Sequence, residues 1–123
     1  MENSTPNPPP AAPEKPADIP YETFAQLDLR VAQVLDAREH PNANKLLLLK
    51  IKVGDLEKQI VAGIRGHYEP ATLVGKKIIV VNNLAPAMIR GEESNGMLLA
   101  ASDATNVVLL QPERDIADGS RVK

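Results

Sequence analysis

The side chains able to make or break bonds are few, and none falls in a catalytic pattern. Cysteine is absent, which removes the strongest nucleophile, thiolate metal sites and disulfides together, and fits a reducing compartment. The two histidines, His40 and His67, lie 27 positions apart, a separation matching no local metal-ligand spacing. Glu92 and Glu93 are adjacent carboxylates whose side chains would diverge on a strand and be solvated in a loop. Ser94 has no histidine near it in sequence. The chain contains no phosphate loop ending in Lys-Ser/Thr, no Gly-x-Ser-x-Gly elbow and no His-Glu-x-x-His helix. No catalytic residue, metal site or cofactor is assigned, and a binding module is expected rather than an enzyme.

What remains is the chemistry of fixed charge. The 123 residues carry 14 Lys+Arg against 16 Asp+Glu, a net charge of -2, which excludes a uniformly basic nucleic-acid coat. The charge is unevenly spread. Residues 28–90 hold ten basic groups against six acidic ones, whereas residues 91–123 hold three against six. Arg30, Lys45, Lys50, Lys52, Lys58, Arg65, Lys76, Lys77 and Arg90 supply nearly all of the central excess. They suit a groove that tracks phosphates, or simply a solvated surface. Only Tyr21, Phe24 and Tyr68 are aromatic, and all three fall outside the strands expected below. Single-strand binders stack bases on aromatic platforms. A nucleic-acid partner of this chain would instead be read through backbone and shape.

The elements that must position these charges are mostly strands. Leu27, Leu29, Val31, Leu35 and Ala37 alternate with Asp28, Arg30, Ala32, Asp36 and Arg38, which predicts a long first strand with that apolar face inward. His40-Pro41-Asn42-Ala43-Asn44 breaks it with turn residues. Leu46 to Val53 predicts a second strand, Gly54-Asp55 a two-residue hairpin turn, and Lys58 to Ala62 a third strand. Glu69 to Val74 reads as a short helix with Pro70 in its first turn. Lys77–Asn82 and Met97–Ser102 are the fourth and fifth strands, and Val107-Val108-Leu109-Leu110 is a further β-like run. This order, three strands, a short helix and two strands, is that of the OB-fold, a five-stranded Greek-key barrel. Seven of the eleven prolines fall in residues 1–20, which predicts a disordered leader or linker ahead of a domain spanning 21–123.

Three segments and one spaced pair of motifs resemble a known family. They are Leu27-Asp28-Leu29-Arg30-Val31-Ala32, Asn44-Lys45-Leu46-Leu47 and Gln59-Ile60-Val61-Ala62-Gly63-Ile64. The most specific is Asn83-Leu84-Ala85-Pro86 followed by Arg90-Gly91-Glu92-Glu93-Ser94-Asn95-Gly96-Met97. Together they are similar to the structure-specific tRNA-binding domain, found free-standing in bacteria and as an appendix of methionyl-tRNA synthetases. The resemblance covers about residues 21–123. It implies an OB-fold homodimer that grips the outer elbow of tRNA with little dependence on sequence. Carried over position by position, it makes Lys45, Asn83, Arg90, Ser94 and Met97 the tRNA-facing residues. Arg30, Lys50 and Lys52 are secondary basic candidates. Members often carry basic residues around the motif proline, where this chain has Ala85, Ala87 and Met88. Fewer phosphate contacts lower both affinity and its salt dependence, so weak, auxiliary binding is expected.

The run Val107, Val108, Leu109 and Leu110 lies beyond the five barrel strands. It is expected to form a C-terminal extension at or beside a homodimer interface. The partners expected are tRNA, a second copy and a methionyl-tRNA synthetase catalytic chain, to which the module would add tRNA affinity without catalysis. The competing expectation is a small dimeric chaperone of the same fold, whose opening shares parts of the Leu-Asp-Leu-Arg-Val sequence. No apolar stretch approaches the roughly 20 residues that span a bilayer. The start lacks a basic n-region and an apolar core, so a cytoplasmic protein is expected.

Overall fold

The computed structural model describes residues 15–123. The expected leader falls largely outside the described residues; positions 15–20 are exposed and without regular structure. A single helical turn, α1 (Tyr21–Phe24), leads into the sheet.

Alternating apolar residues build a strongly curled sheet. Its strands are β1 (Leu29–Glu39), β2 (Leu47–Val53), β3 (Leu56–Ala62), β4 (Lys77–Val81) and β7 (Met97–Leu98). They hydrogen-bond in the order β3-β2-β1-β4-β7, all antiparallel. Gly54-Asp55 forms the two-residue turn between β2 and β3, with Val53 opposite Leu56. The one-turn helix α2 (Pro70–Leu73) lies between the third and fourth strands and drives the fully buried Leu73 into the core. Burying one such side chain is worth about 1.5–3 kcal/mol.

The two ends of the sheet meet without a regular ladder. The Val61 N–H donates to Ser94 Oγ (2.9 Å) and the Asn95 N–H to the Gln59 carbonyl (2.8 Å). Gln59 Nε2 adds a bond to the Glu93 carbonyl at 2.9 Å. Inside lie Ala32, Val34, Leu47, Leu49, Ile51, Ile60, Ile78 and Val80. The result is the expected all-β, OB-like barrel with one short helix after its third strand.

Three features depart from the sequence expectation. The register of β1 against β2 shifts between Val34 and Asp36, so the extra residue, Leu35, forms a bulge that kinks the strand. The core side of β1 is Ala32 and Val34, and the bulge lets Ala37, three positions on, pack on that same side, while Leu35 is only half-buried. Leu29 and Val31 are buried too, but outside that core cluster. Second, the segment before β7 contains its own hairpin, β5 (Ala87–Ile89) with β6 (Glu92–Ser94). Third, the predicted fifth strand is broken at Leu99. Its second part, β8 (Ala100–Ser102), pairs with β9 (Val107–Leu109) as a separate ribbon.

The segment 107–110 faces two ways. Leu109 is 7% exposed and belongs to the core, and its N–H donates to Tyr68 Oη at 3.1 Å. Val108, 53% exposed, and Leu110 point outward, while Val107 packs partly against the core. The chain then returns along the start of β1, where β10 (Arg121–Val122) pairs with Leu29 and Arg30. This C-terminal strap is fastened by backbone bonds from Gly119 N–H to the Val31 carbonyl (2.6 Å) and from Val31 N–H to the Ser120 carbonyl (2.9 Å).

Candidate nucleic-acid interface

The loop that follows β1 is short and heavily tied. Its ends are joined by the His40 N–H donating to the Leu46 carbonyl at 3.1 Å. Arg65 Nη1 donates to the Ala43 carbonyl (3.0 Å), and its Nη2 pairs with Glu39 at 2.8 Å. Facing this loop is the tip of the β5–β6 hairpin, Arg90-Gly91. Both tip residues have left-handed φ, 54° and 91°, the signature of a type I′ turn, which right-handed strand twist favours. Arg90 is the only non-glycine among the described residues with positive φ. That backbone costs an ordinary L-residue roughly 1–2 kcal/mol, so this arginine occupies a position where glycine or asparagine would be cheaper. Arg90 Nη2 donates to the Asn42 carbonyl at 3.1 Å.

Lys45 and Arg90 line one shallow depression of about 360 Å³, together with Asn42, Ala43, Asn44 and Leu46. Both are exposed, and neither has a carboxylate partner among the described residues. Of the residues proposed for tRNA contact, the fold brings these two together here, and Ser94 and Met97 together in a second concavity.

The other candidates have different surroundings. Met97 is 44% exposed and lines an apolar cleft of about 520 Å³ with Leu84, Ala85, Ile89 and Val61. Leu46 borders both this cleft and the cationic notch, so the two concavities adjoin. Ser94 is 5% exposed; its hydroxyl accepts from Val61 N–H and donates to the Gly96 carbonyl at 3.0 Å. Its one proton is thus spent inside the barrel. Asn83 is exposed but occupied: Oδ1 accepts from Asp28 N–H (2.8 Å) and Nδ2 donates to the Gln26 carbonyl (2.8 Å). It holds the approach to β1 against the end of β4.

The secondary basic candidates are each paired. Arg30 Nε lies 2.7 Å from Asp28, Lys50 Nζ 3.5 Å from Glu57 and Lys52 Nζ 3.1 Å from Asp118. Lys77 likewise meets Asp115 at 2.9 Å. Lys58 donates to the Asn82 carbonyl at 2.9 Å, and its partial burial pulls its ammonium below the usual lysine range. Lys76 sits over the Tyr68 ring, 5.7 Å from its centroid. The Asn82 amide, then Arg30, hold the Asp28 carboxyl below its ordinary value. Sequence reasoning missed His40, which is 2% exposed and stands between the notch's two halves. Its place beside Pro41-Asn42 marked it only as part of a turn.

Comparisons with known proteins bear on the family and the fold. The family model described as "Putative tRNA binding domain" matches residues 29–121. A methionine–tRNA ligase of Methanococcus aeolicus is 50% identical over 109 residues, 89% of this chain and 16% of the ligase. A methionine–tRNA ligase of Pyrococcus horikoshii is 44% identical over 105 residues, 85% of this chain and 14% of the ligase. The chain thus spans about a sixth of the first of these relatives and less of the second. Among solved structures, a MetRS-related protein from Pyrococcus horikoshii superposes with a TM-score of 0.82 at 32% identity, covering 87% of this chain and 99% of that one. The chaperone CsaA of Bacillus anthracis gives 0.79 at 35% identity, covering 87% and 100%.

Proposed function

The chain belongs to the tRNA-binding domain family, and from that premise we propose that it is a tRNA-binding module that reads shape and backbone and serves a methionyl-tRNA synthetase without catalysing anything itself. One observation carries the choice of site: Lys45 and Arg90 share a depression and lack carboxylate partners among the described residues. Each supplies a full positive charge to a phosphate, and the guanidinium can engage two oxygens at once. Met97 adds apolar contact beside them. Asn83 and Ser94 support the site from within, the first by fixing the strand ends and the second by closing the barrel. Arg30, Lys50 and Lys52 contribute less field, because each stands beside a carboxylate.

Binding of this kind releases counterions, so affinity falls with salt in proportion to the phosphates contacted. The test is a titration of tRNA at two salt concentrations, with double-stranded RNA as control. The Lys45→Ala/Arg90→Ala chain is expected to bind more weakly, with a log–log salt slope shallower by about 1.4–1.8. An unchanged slope would remove this site. A two-fold homodimer through Val108 and Leu110, buttressed by Val107 and Leu109, would double the contacts and gain by avidity. A monomer mass at micromolar concentration would count against it. The work would take place in the cytoplasm, with the catalytic chain either attached or in trans.

The likeness to CsaA supports a second reading, a chaperone for unfolded chains, with the apolar cleft beside Met97 as its contact surface. Suppression of client aggregation without any salt-sensitive tRNA binding would place it first.

A further inference from the structure

The two halves of the cationic notch come from segments about fifty positions apart in sequence, and the imidazole of His40 is built between them. Asn42 N–H donates to His40 Nδ1 at 2.9 Å. A backbone N–H can only donate, so Nδ1 carries no proton and the ring's single hydrogen sits on Nε2. Nε2 lies 3.0 Å from the Ile89 carbonyl, to which it therefore donates. One ring nitrogen thus shapes the loop that carries Lys45, and the other holds the residue immediately before Arg90. The ring is 2% exposed, which leaves it no edge with which to touch RNA.

We propose that His40 is the positioning residue of the tRNA site, coupling the Lys45 loop to the Arg90 turn so that both cations reach one phosphate track. This rests on the reading of the notch as the tRNA site. The need for such a device follows from Arg90 itself. Its left-handed backbone is unfavourable for an arginine and persists only where the surroundings over-determine it. The Ile89 carbonyl anchored by His40 and the Asn42 carbonyl accepting from Arg90 are two such constraints, and both run through the His40 loop. Arg65 backs the loop from below through the His40 and Ala43 carbonyls, at 3.4 and 3.0 Å.

Two substitutions separate the two bonds of the ring. In His40→Asn the amide oxygen stands where Nδ1 was and keeps the Asn42 bond, but the side chain is too short to reach Ile89. In His40→Gln the amide nitrogen reaches Ile89 and the loop bond is lost. With unfractionated tRNA as probe, the folded Asn variant is expected to bind about 2- to 30-fold more weakly. Its salt slope should be shallower by about 0.7–0.9, the loss of one phosphate contact. The Gln variant frees the Lys45 loop instead, so its slope should fall by a similar amount, and that loss should persist in an Arg90→Ala background. In an Arg90→Ala background, His40→Asn should cost nothing further, because the contact it positions is already gone. Were the histidine merely structural, His40→Asn would lower affinity equally in both backgrounds and leave the slope alone, and either result overturns the proposal. Amide exchange supplies a readout independent of RNA. His40→Asn should speed exchange at 90–91 together with 42–45 while β2 and β3 stay protected; a response in one segment alone refutes the coupling. Wild-type protein that shows no salt-sensitive tRNA binding would refute the functional reading, and exchange would then decide the coupling by itself.

Discussion

Two regions of this barrel hold lysines and arginines at β-strand margins, and they use them in opposite ways. Along the C-terminal strap, cations are fasteners. Lys52 meets Asp118, Lys77 meets Asp115, and Arg30 donates to the Gly119 carbonyl at 3.1 Å while pairing with Asp28. At the notch, among the described residues, Lys45 has no carboxylate partner and Arg90 donates only to a backbone carbonyl. The residue types are the same; what differs is whether the returning chain brings an acid. The strap comes from the acidic C-terminal stretch and neutralises the side of the barrel it crosses. It leaves the loop after β1 untouched. A small net charge therefore conceals a local surplus, placed by topology rather than by composition.

The sharpest way to break the strap is at Gly119. It has a φ of 85°, and a Cβ there would lie 2.8 Å from Gly54 Cα and 2.9 Å from its nitrogen. Gly119→Ala combines left-handed strain with overlap against backbone, and is expected to cost about 2–4 kcal/mol. A melting temperature lowered by about 10 °C or more would follow. The salt slope of whatever remains folded should match wild type. A changed slope would mean that the strap shapes the RNA site as well.

Arg90→Gly breaks the notch in the other direction. Relief of the left-handed backbone should leave stability unchanged or raise it by up to about 1 kcal/mol, while the tRNA salt slope becomes shallower by about 0.7–0.9. Denaturant melts and titrations on the same sample test this opposition. Loss of both stability and binding would show that the side chain is a fastener after all.

The smallest effect is that of pH. Asp28 and Asp115 are both held below the ordinary carboxylate value, by the Asn82 amide followed by Arg30 and by Lys77 respectively. Groups depressed in the folded state add stability above their unfolded value, and that stability is lost as pH falls through the folded one. Acid should therefore weaken the strap side below about pH 4, with little change between pH 5 and 8. Asp28→Asn should blunt the acid limb of the stability curve.

Much of this was legible in the sequence, because the strands of a small barrel announce themselves through alternating aliphatics and turn residues. Leu47, Leu49, Ile51 and Val53 face the core as their spacing predicts, and the hairpin at Gly54 and the helix at Pro70 fall in place. Leu35 did not, since a bulge costs one residue and leaves no mark on an alternating pattern that already contains Ala32 and Val34. The β5–β6 hairpin was missed because Arg90-Gly91 lacks the Asn or Asp that usually advertises a type I′ turn. Within the site, sequence could nominate cations but not sort them. Lys52 and Asp118 are 66 positions apart, and only the fold reveals that the second silences the first. Ser94 and Asn83 carried the right chemistry for an RNA contact, yet their hydrogen bonds close inward.

The strap has one further consequence. Val122 lies opposite Leu29, so the polypeptide enters and leaves the sheet at a single corner. The loop carrying Lys45 begins at the far end of the same strand. Eleven residues of β1 separate the two, at most about 35 Å along an extended strand. Anything joined to either end of the sheet pulls on one corner only. The Lys45 loop, proposed to contact RNA, is the end of the module remote from that corner. The length of the attachment then sets how often that end meets RNA held by a neighbour.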